Sequence, residues 1–399
     1  MPGPLDGIRV LDLTAVVAGP IATMCLADQG ADVIKVEPLG GDISRRSREP
    51  IDDAKQFSSL FISATRGKRS IALDMKSDTG RDILSKLIAR SDVVVQNFRP
   101  GTMERLGFGY EQLSKAHPKL IFVSINGVGE SGPYAKKRIY DPMIQAMSGL
   151  ADIQAQAGTN KPQMIRTIIV DKTTAVVAAQ AITAALFARE RTGKGDHVRV
   201  SLLDAMVAFV WPEGMMQYTV VGRESSAGDP NDRPDLVFPT TDGFMTVGTI
   251  SDAEWQGFCR AVDNAELTAD ERFATPSGRY MHATARINRM AELLSTRSTA
   301  DWLKMLDAED VPCAPILRRR EIMDNEQIVA RGLIETFDQP GVGAVRQPKP
   351  AGRFEANPAG IQGPAPGIGE HSRDILAEIG FDDAAIDLAA AGGAVRIAG

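Results

Sequence analysis

Asp171 stands where an apolar run, Met164 to Val170, meets an alanine-rich stretch, Ala175 to Ala188. This pattern predicts a strand feeding a buried helix, with the carboxylate at the helix start. Unpaired backbone N–H groups and the positive dipole end at such a start stabilise an anion, so the expected form is an ionised carboxylate that can act as a nucleophile. The same position suits a helix N-cap, for which Asp is a favoured residue, and one carboxylate can fill both roles. Basic residues cluster at Arg45, Arg46, Arg66, Lys68, Arg69 and Lys76, and again at Arg99, Arg105, Lys136, Lys137 and Arg138. Such clusters fit a polyphosphate, or else lie on the solvated surface. Histidine chemistry is poorly supplied, with only His117, His197, His282 and His371.

Several other chemistries lack their residues. The segment after the first apolar run, Thr14 to Pro20, has no paired glycines to admit a dinucleotide pyrophosphate, so NAD is disfavoured. There is no Walker loop, no Ser-His-Asp order and no His/Cys spacing for a metal, and no metal is expected. Cys25, Cys259 and Cys313 are odd in number and far apart, which fits a reducing, cytoplasmic setting. Met1 to Gly7 has neither a basic start nor an apolar core, so no secretory signal is expected. The Ala175 to Ala188 stretch is too short for a bilayer and carries Gln180 and Thr183, which predicts a core helix and no membrane partner. A net charge of −6 argues against nucleic acid as a partner.

The elements that must position these residues follow from periodicity. Short β-branched runs at Ile8 to Leu13, Val33 to Val36, Ser70 to Leu73, Val93 to Val95 and Leu120 to Ile125 alternate with helical segments, the signature of an α/β fold with a doubly wound, Rossmann-like parallel sheet. Pro20 suits the first turn of a helix that Gly30 stops, and Ser77 with Asp78 begins another that runs to about Arg90. With 399 residues, two domains are expected. Residues 1–215 read as the first part of a large α/β domain and 225–325 as a smaller α+β domain, with a hairpin at Asp242-Gly243 and polar helices from Asp252 to about Asp310. Residues 326–399 read as a linker and a return to the large domain, with extended chain from Gln339 to Gly369 and a helix from near His371 to Ile379.

Several segments, in order over nearly the whole chain, resemble the family III CoA-transferases (CaiB/BaiF family), typified by formyl-CoA transferase and carnitine CoA-transferase. They are Gly30-Ala31-Asp32-Val33-Ile34-Lys35-Val36-Glu37, Leu73-Asp74-Met75-Lys76, Asn97-Phe98-Arg99-Pro100-Gly101 and Arg105-Leu106-Gly107. Ser124-Ile125-Asn126-Gly127, Gly132-Pro133, Gly193-Lys194-Gly195, Val200 to Ala205 and Gly369-Glu370-His371 complete the set.

The resemblance implies an interlocked homodimer, an acyl-CoA:carboxylate CoA-transferase, and Asp171 as the nucleophile. Its partners would be acyl-CoA and a small carboxylic acid. The positions matching the family's CoA contacts are Val17, Ala18, Leu73, Asp74, Met75, Lys76, Asn97, Phe98, Arg99, Arg105, Arg138 and Tyr140. Gly248 is the residue named for the oxyanion. In two places this chain departs from the pattern. Pro38 follows the Glu of the second strand where several members place an adenine-side Arg, a contact that is then either lost or supplied by Arg45 or Arg46. The glycine-rich loop of formyl-CoA transferase has no counterpart near Asp242 to Ile250, which disfavours formyl and oxalyl substrates. The related 2-methylacyl-CoA racemases, which would use Asp171 as a base, have a His where Tyr140 stands, and a phenol with a pKa near ~10 is a poor base at neutral pH. A CoA-binding protein without catalysis would use the same pocket.

Overall fold

The computed structural model describes residues 3–47, 51–54, 56–159, 161–224 and 234–398. They form two compact units. The larger comprises Met1–Leu150, Met164–Met216 and Gly332–Gly399, and the smaller Ala151–Gln163 and Gln217–Arg331. Sequence reading had begun the smaller domain at 225 and ended it at 325.

The large unit is built on a seven-stranded sheet. Its parallel strands are β1 (Arg9–Asp12), β2 (Asp32–Glu37), β3 (Arg69–Leu73), β4 (Val93–Gln96), β5 (Ile121–Asn126) and β6 (His197–Ser201). The order is β3-β2-β1-β4-β5-β6, with Val395–Arg396 pairing antiparallel to the outer edge of β3. The five strands read as the alternating parallel sheet are present. The sixth was missed because His197, Arg199 and Ser201 interrupt its apolar positions. Order reverses between β1 and β4, which each pair with different neighbours on their other edges. The crevice outside the carboxyl ends of such strands is where doubly wound sheets bind ligands.

Core packing follows the helical and strand periods. Asp78–Ala89 places Ile83, Leu84, Leu87 and Ile88 against Leu11, Ile34, Ile71 and Val94, all buried. Ile169–Thr192 runs for 24 residues, about 36 Å at 1.5 Å per residue, and is long and apolar enough to cross a bilayer. This corrects the reading of a segment too short to do so. Within the unit it nonetheless carries a buried stripe, Val170, Thr174, Ala175, Ala178, Ile182 and Leu186, whose small residues let it lie close to its neighbours. Arg189, further along, reaches Asp92 at 2.9 Å.

Beneath the carboxyl edge runs a buried charge network. Lys68 Nζ donates to Asp12 Oδ2 at 2.8 Å, to Thr23 Oγ1 at 2.7 Å and to the Pro20 carbonyl at 2.8 Å. Lys35 Nζ donates to the Thr14 carbonyl at 2.8 Å and to Asp42 Oδ2 at 2.9 Å. Burial alone would push the Asp12 carboxyl upward, but Lys68 and Lys35 outweigh it and hold the group well below the usual carboxylate range.

In the small unit β7 (Phe238–Pro239), β8 (Phe244–Val247) and β9 (Cys313–Pro315) form an antiparallel sheet. The hairpin read at Asp242-Gly243 joins the first two. Helices Asp252–Val262, Ala283–Leu294 and Thr299–Ala308 cover a core of Trp255, Phe258, Phe273, Met290 and Trp302. In the large unit, the stretch expected as extended chain instead begins within a second hairpin, β10 (Ile334–Gln339) and β11 (Gly343–Pro348). Gly341 and Gly343, at φ 78° and 97°, take the left-handed conformations of its turn. The last helices are Ser372–Glu378 and Asp383–Ala391.

Removing one member of a buried ion pair leaves the other unpaired, at about 3–5 kcal/mol. Lys68→Met should therefore lower the urea midpoint markedly, and Asp12→Asn added to it should recover part of the loss. An unchanged midpoint in Lys68→Met would show that the network carries no structural load.

Candidate active site

The first turn after β1 is shaped from below and from the side. Asn97, just past β4, accepts from the Ala15 amide at 2.9 Å and donates to the Ala15 carbonyl at 2.8 Å, tying the two strand ends that flank the order reversal. Val16 has φ 75°, an unfavourable conformation for a β-branched residue. Its amide donates to Asp42 Oδ1 at 3.3 Å, and Asp42 is itself fixed by Lys35. Val17 then caps the helix Ala18–Asp28 without a side-chain hydrogen bond. Gly19 is required there, because a Cβ would meet Thr14 at 2.3 Å. Val17, Ala18 and Leu73 have buried side chains, so these three offer a ligand mainly backbone.

Asn97, Phe98, Arg99, Arg138 and Tyr140 line one cleft of about 220 Å³, together with the Asn126 to Gly129 turn. The structure thus gathers five of the predicted residues and staples the Val17–Ala18 turn to them through Asn97. Leu73 to Lys76 lie at the end of β3, on the same carboxyl edge, where Asp74 donates its amide to the Ala394 carbonyl at 2.9 Å. Arg105 sits on the short helix Thr102–Leu106, exposed, with Nη2 donating to Thr102 Oγ1 at 2.9 Å.

Several other members of the basic clusters are committed to carboxylates within the unit, Arg45, Arg66 and Lys68 buried and Arg69 partly so. Arg66 pairs with Asp28 at 2.7 Å, Lys68 with Asp12 at 2.8 Å and Arg69 with Asp32 at 2.7 Å. Arg45 is 1% exposed, forks onto Glu37 at 2.6 and 2.7 Å and stacks on Phe61. It is therefore unavailable as the adenine-side arginine. Arg46 is exposed, with Nη2 at 3.2 Å from the Gly40 carbonyl. Gly248 donates its amide to Pro312 at 2.7 Å, which removes it as an oxyanion donor.

At Asp171 the structure departs from the sequence reading. Residues 162–168 form no strand, the helix begins at Ile169, and Ile168 is an N-cap without a side-chain hydrogen bond. Asp171 is the third helical residue. The cap comes from Asp141, 4% exposed, whose Oδ2 accepts from Val170 at 2.8 Å and Asp171 at 3.2 Å. Its other oxygen accepts from Gln145 at 2.6 Å, and Gln145 is held by the Ile165 backbone at 2.9 Å. The sequence signal was present in Asp141-Pro142, a helix-opening pair, but it was read only for the residue before it.

This arrangement also overturns the expectation of a dipole-stabilised anion. Burial, and then the neighbouring Asp141 charge, push the half-buried Asp171 carboxyl up to about 6. No cation pairs with it among the described residues. At neutral pH it remains mainly ionised, yet it is more basic than an ordinary carboxylate, which strengthens it as a nucleophile.

Comparison with known proteins now bears on this geometry. The model of "CoA-transferase family III" matches residues 5–372. A succinate–glutarate CoA-transferase of Agrobacterium fabrum is 35% identical over 391 residues, covering 94% of this chain and 96% of the relative. A succinyl-CoA:mesaconate CoA-transferase of Haloarcula hispanica is 36% identical over 398 residues, covering 95% and 97%. The crystal structure of a CaiB/BaiF family protein from Brucella suis superposes with a TM-score of 0.81 at 33% identity, covering 95% of this chain and 100% of that one. With its switch-point crevice and its match across both units, the chain belongs to CoA-transferase family III.

Proposed function

We propose that the protein moves CoA from an acyl-CoA thioester to a free carboxylic acid through a covalent intermediate at Asp171. The observation that carries this reading is a half-buried carboxylate without a cationic partner among the described residues, raised to about 6 and held at a helix start by Asp141. Asp171 attacks the thioester carbonyl and expels CoA thiolate, leaving a mixed anhydride. The thiolate then attacks the aspartyl carbonyl, releasing the donor acid and leaving an aspartyl-CoA thioester. The acceptor carboxylate attacks that thioester, the thiolate returns to the new acyl group, and Asp171 is restored. Covalent catalysis divides one hard exchange into easier ones.

CoA is read along the carboxyl edge, its phosphates by Lys76, Arg99, Arg105 and Arg138, where arginine forks suit phosphate oxygens. The relatives' names favour succinyl-CoA as donor and a short dicarboxylic acid as acceptor. We further propose an interlocked homodimer in the cytoplasm. The dimer is supported by exposed apolar residues on two adjoining helices of the large unit, Val176 and Phe187 on Ile169–Thr192 and Phe209 on Leu202–Val210, at 62, 66 and 52% exposure. Large apolar side chains of this kind gain by burial against a partner.

Hydroxylamine added with succinyl-CoA should leave a hydroxamate on Asp171, found by peptide mass spectrometry, and Asp171→Asn should abolish both adduct and transfer. Undiminished transfer in that variant would falsify the assignment. With a 2-methylacyl-CoA in deuterated water, little label should enter beside the thioester; rapid enzyme-dependent exchange would make Asp171 a base instead.

The raised carboxyl also fixes a sign. Between about pH 4 and pH 6 the folded chain holds this proton more tightly than the unfolded chain, so the contribution of Asp171 to stability falls as pH rises through that window. Asp171→Asn should thus be more stable than the parent above pH 6, on the order of 1 kcal/mol after solvent screening, and no more stable below pH 4. Thermal melts at the two pH values decide it.

Transfer by the parent should fall as pH drops through about 6. Asp141→Asn keeps an acceptor for the two helix amides but removes the charge, so the acid limb of the pH–rate profile should move to lower pH. A limb that stays in place would show that Asp141 does not raise Asp171.

A further inference from the structure

The hydrogen bonds along β4, β5 and β6 continue into the Asn97-Phe98-Arg99 segment. Gln96, the last residue of β4 and 9% exposed, accepts from the Phe98 amide through Oε1 at 2.8 Å. Its Nε2 donates to Ser124 Oγ on β5 at 3.0 Å, and that oxygen lies 2.9 Å from His197 Nε2 on β6. The first two directions follow from the chemistry of the groups. A backbone amide only donates, so Gln96 must turn its oxygen to Phe98 and its nitrogen to Ser124. Ser124 then accepts from Gln96, and the hydroxyl and the His197 Nε2 share the next hydrogen bond, whose donor is set by the imidazole tautomer. Tyr110, at 4.5 Å, and Phe122, edge-on at 5.3 Å, fix the ring's orientation.

A cavity of about 440 Å³ is lined by Gln96, Ser124, His197, Tyr110 and Arg99. Phe98 packs against the hydrophobic core, while on the cavity side hydrogen bonds hold the segment. Asn97 staples it to the first turn and Gln96 to the sheet. We infer that Gln96, backed by Ser124 and His197, is a positioning residue that holds Phe98 and Arg99 in the conformation that receives CoA. The inference rests on the reading that this segment binds CoA, and it adds residues that touch no substrate.

The test measures free CoA binding by calorimetry, and KM and kcat for an acyl-CoA, in Gln96→Leu, Gln96→Glu, Ser124→Ala and Arg99→Ala. Gln96→Leu removes the acceptor for Phe98 and should raise Kd and KM about tenfold while kcat at saturation stays within about twofold. Gln96→Glu retains an acceptor of the same length and should restore most of the affinity. Ser124→Ala cuts the chain one link further back and should raise Kd about threefold; it carries the test if Gln96→Leu does not fold. A role in stability alone would lower the active fraction, and so kcat, with KM unmoved, and would overturn the inference. So would parental affinity in Gln96→Leu and Ser124→Ala while Arg99→Ala binds weakly. Parental affinity in Arg99→Ala as well would instead remove the underlying CoA reading of this segment.

Discussion

The start of helix Ile169–Thr192 has amides that need an acceptor, and its own sequence supplies no capping side chain. Asp141 meets that need from a separate helix, 30 residues earlier, and much of the site's character follows. A buried anion satisfies two helix amides well, since hydrogen bonds to a charged acceptor are the stronger kind. It also sets a negative charge beside Asp171, which is already poorly solvated. The contact that fixes Asp171 in place thus also adds to the rise in basicity that burial begins.

A similar economy holds at the other strand ends. Asp12, Lys35, Lys68 and Asp42 are all buried, and buried ion pairs seldom add net stability over an apolar core. Their arrangement has a local effect instead. Asp42 and Lys35 grip the backbone at Val16 and Thr14, while Lys68 reaches the Pro20 carbonyl in the helix that follows. A turn with a β-branched residue at positive φ relaxes unless its surroundings over-determine it. The charges beneath this turn do so, and Asn97 completes the hold from the side.

Much of the large unit was legible because parallel strands buried on both faces read as short β-branched runs. The helix Asp78–Ala89 was equally plain, with the Ser77 hydroxyl oxygen accepting from the Gly80 amide as the cap. β6 was obscured because its polar side chains are explained only by neighbours, His197 by Ser124 and Arg199 by Glu130. Asp171 was located, but its cap was misassigned, because local spacing cannot reveal an acceptor delivered from a distant helix. The hairpin Ile334 to Pro348 lies where glycine and proline suggested open chain; cross-strand pairing, invisible to a one-dimensional pattern, decided its form.

Basic residues show the same limit most clearly, and their sorting has a topological logic. Arg45, Arg66, Lys68 and Arg69 each meet a carboxylate, from Glu37, Asp28, Asp12 and Asp32. Those acids stand on β1, β2 or the helix between them, so the cations are spent inside the unit or along its edge. Lys76, Arg99, Arg105 and Arg138 follow strands β3, β4 and β5 at their carboxyl ends, and none of them has a carboxylate partner among the described residues. A chain with a net charge of −6 therefore presents uncompensated positive groups on the edge where a doubly wound sheet receives its ligand. The proposed CoA site thus rests on which cations the fold leaves unpaired, a distribution that net charge and composition do not contain.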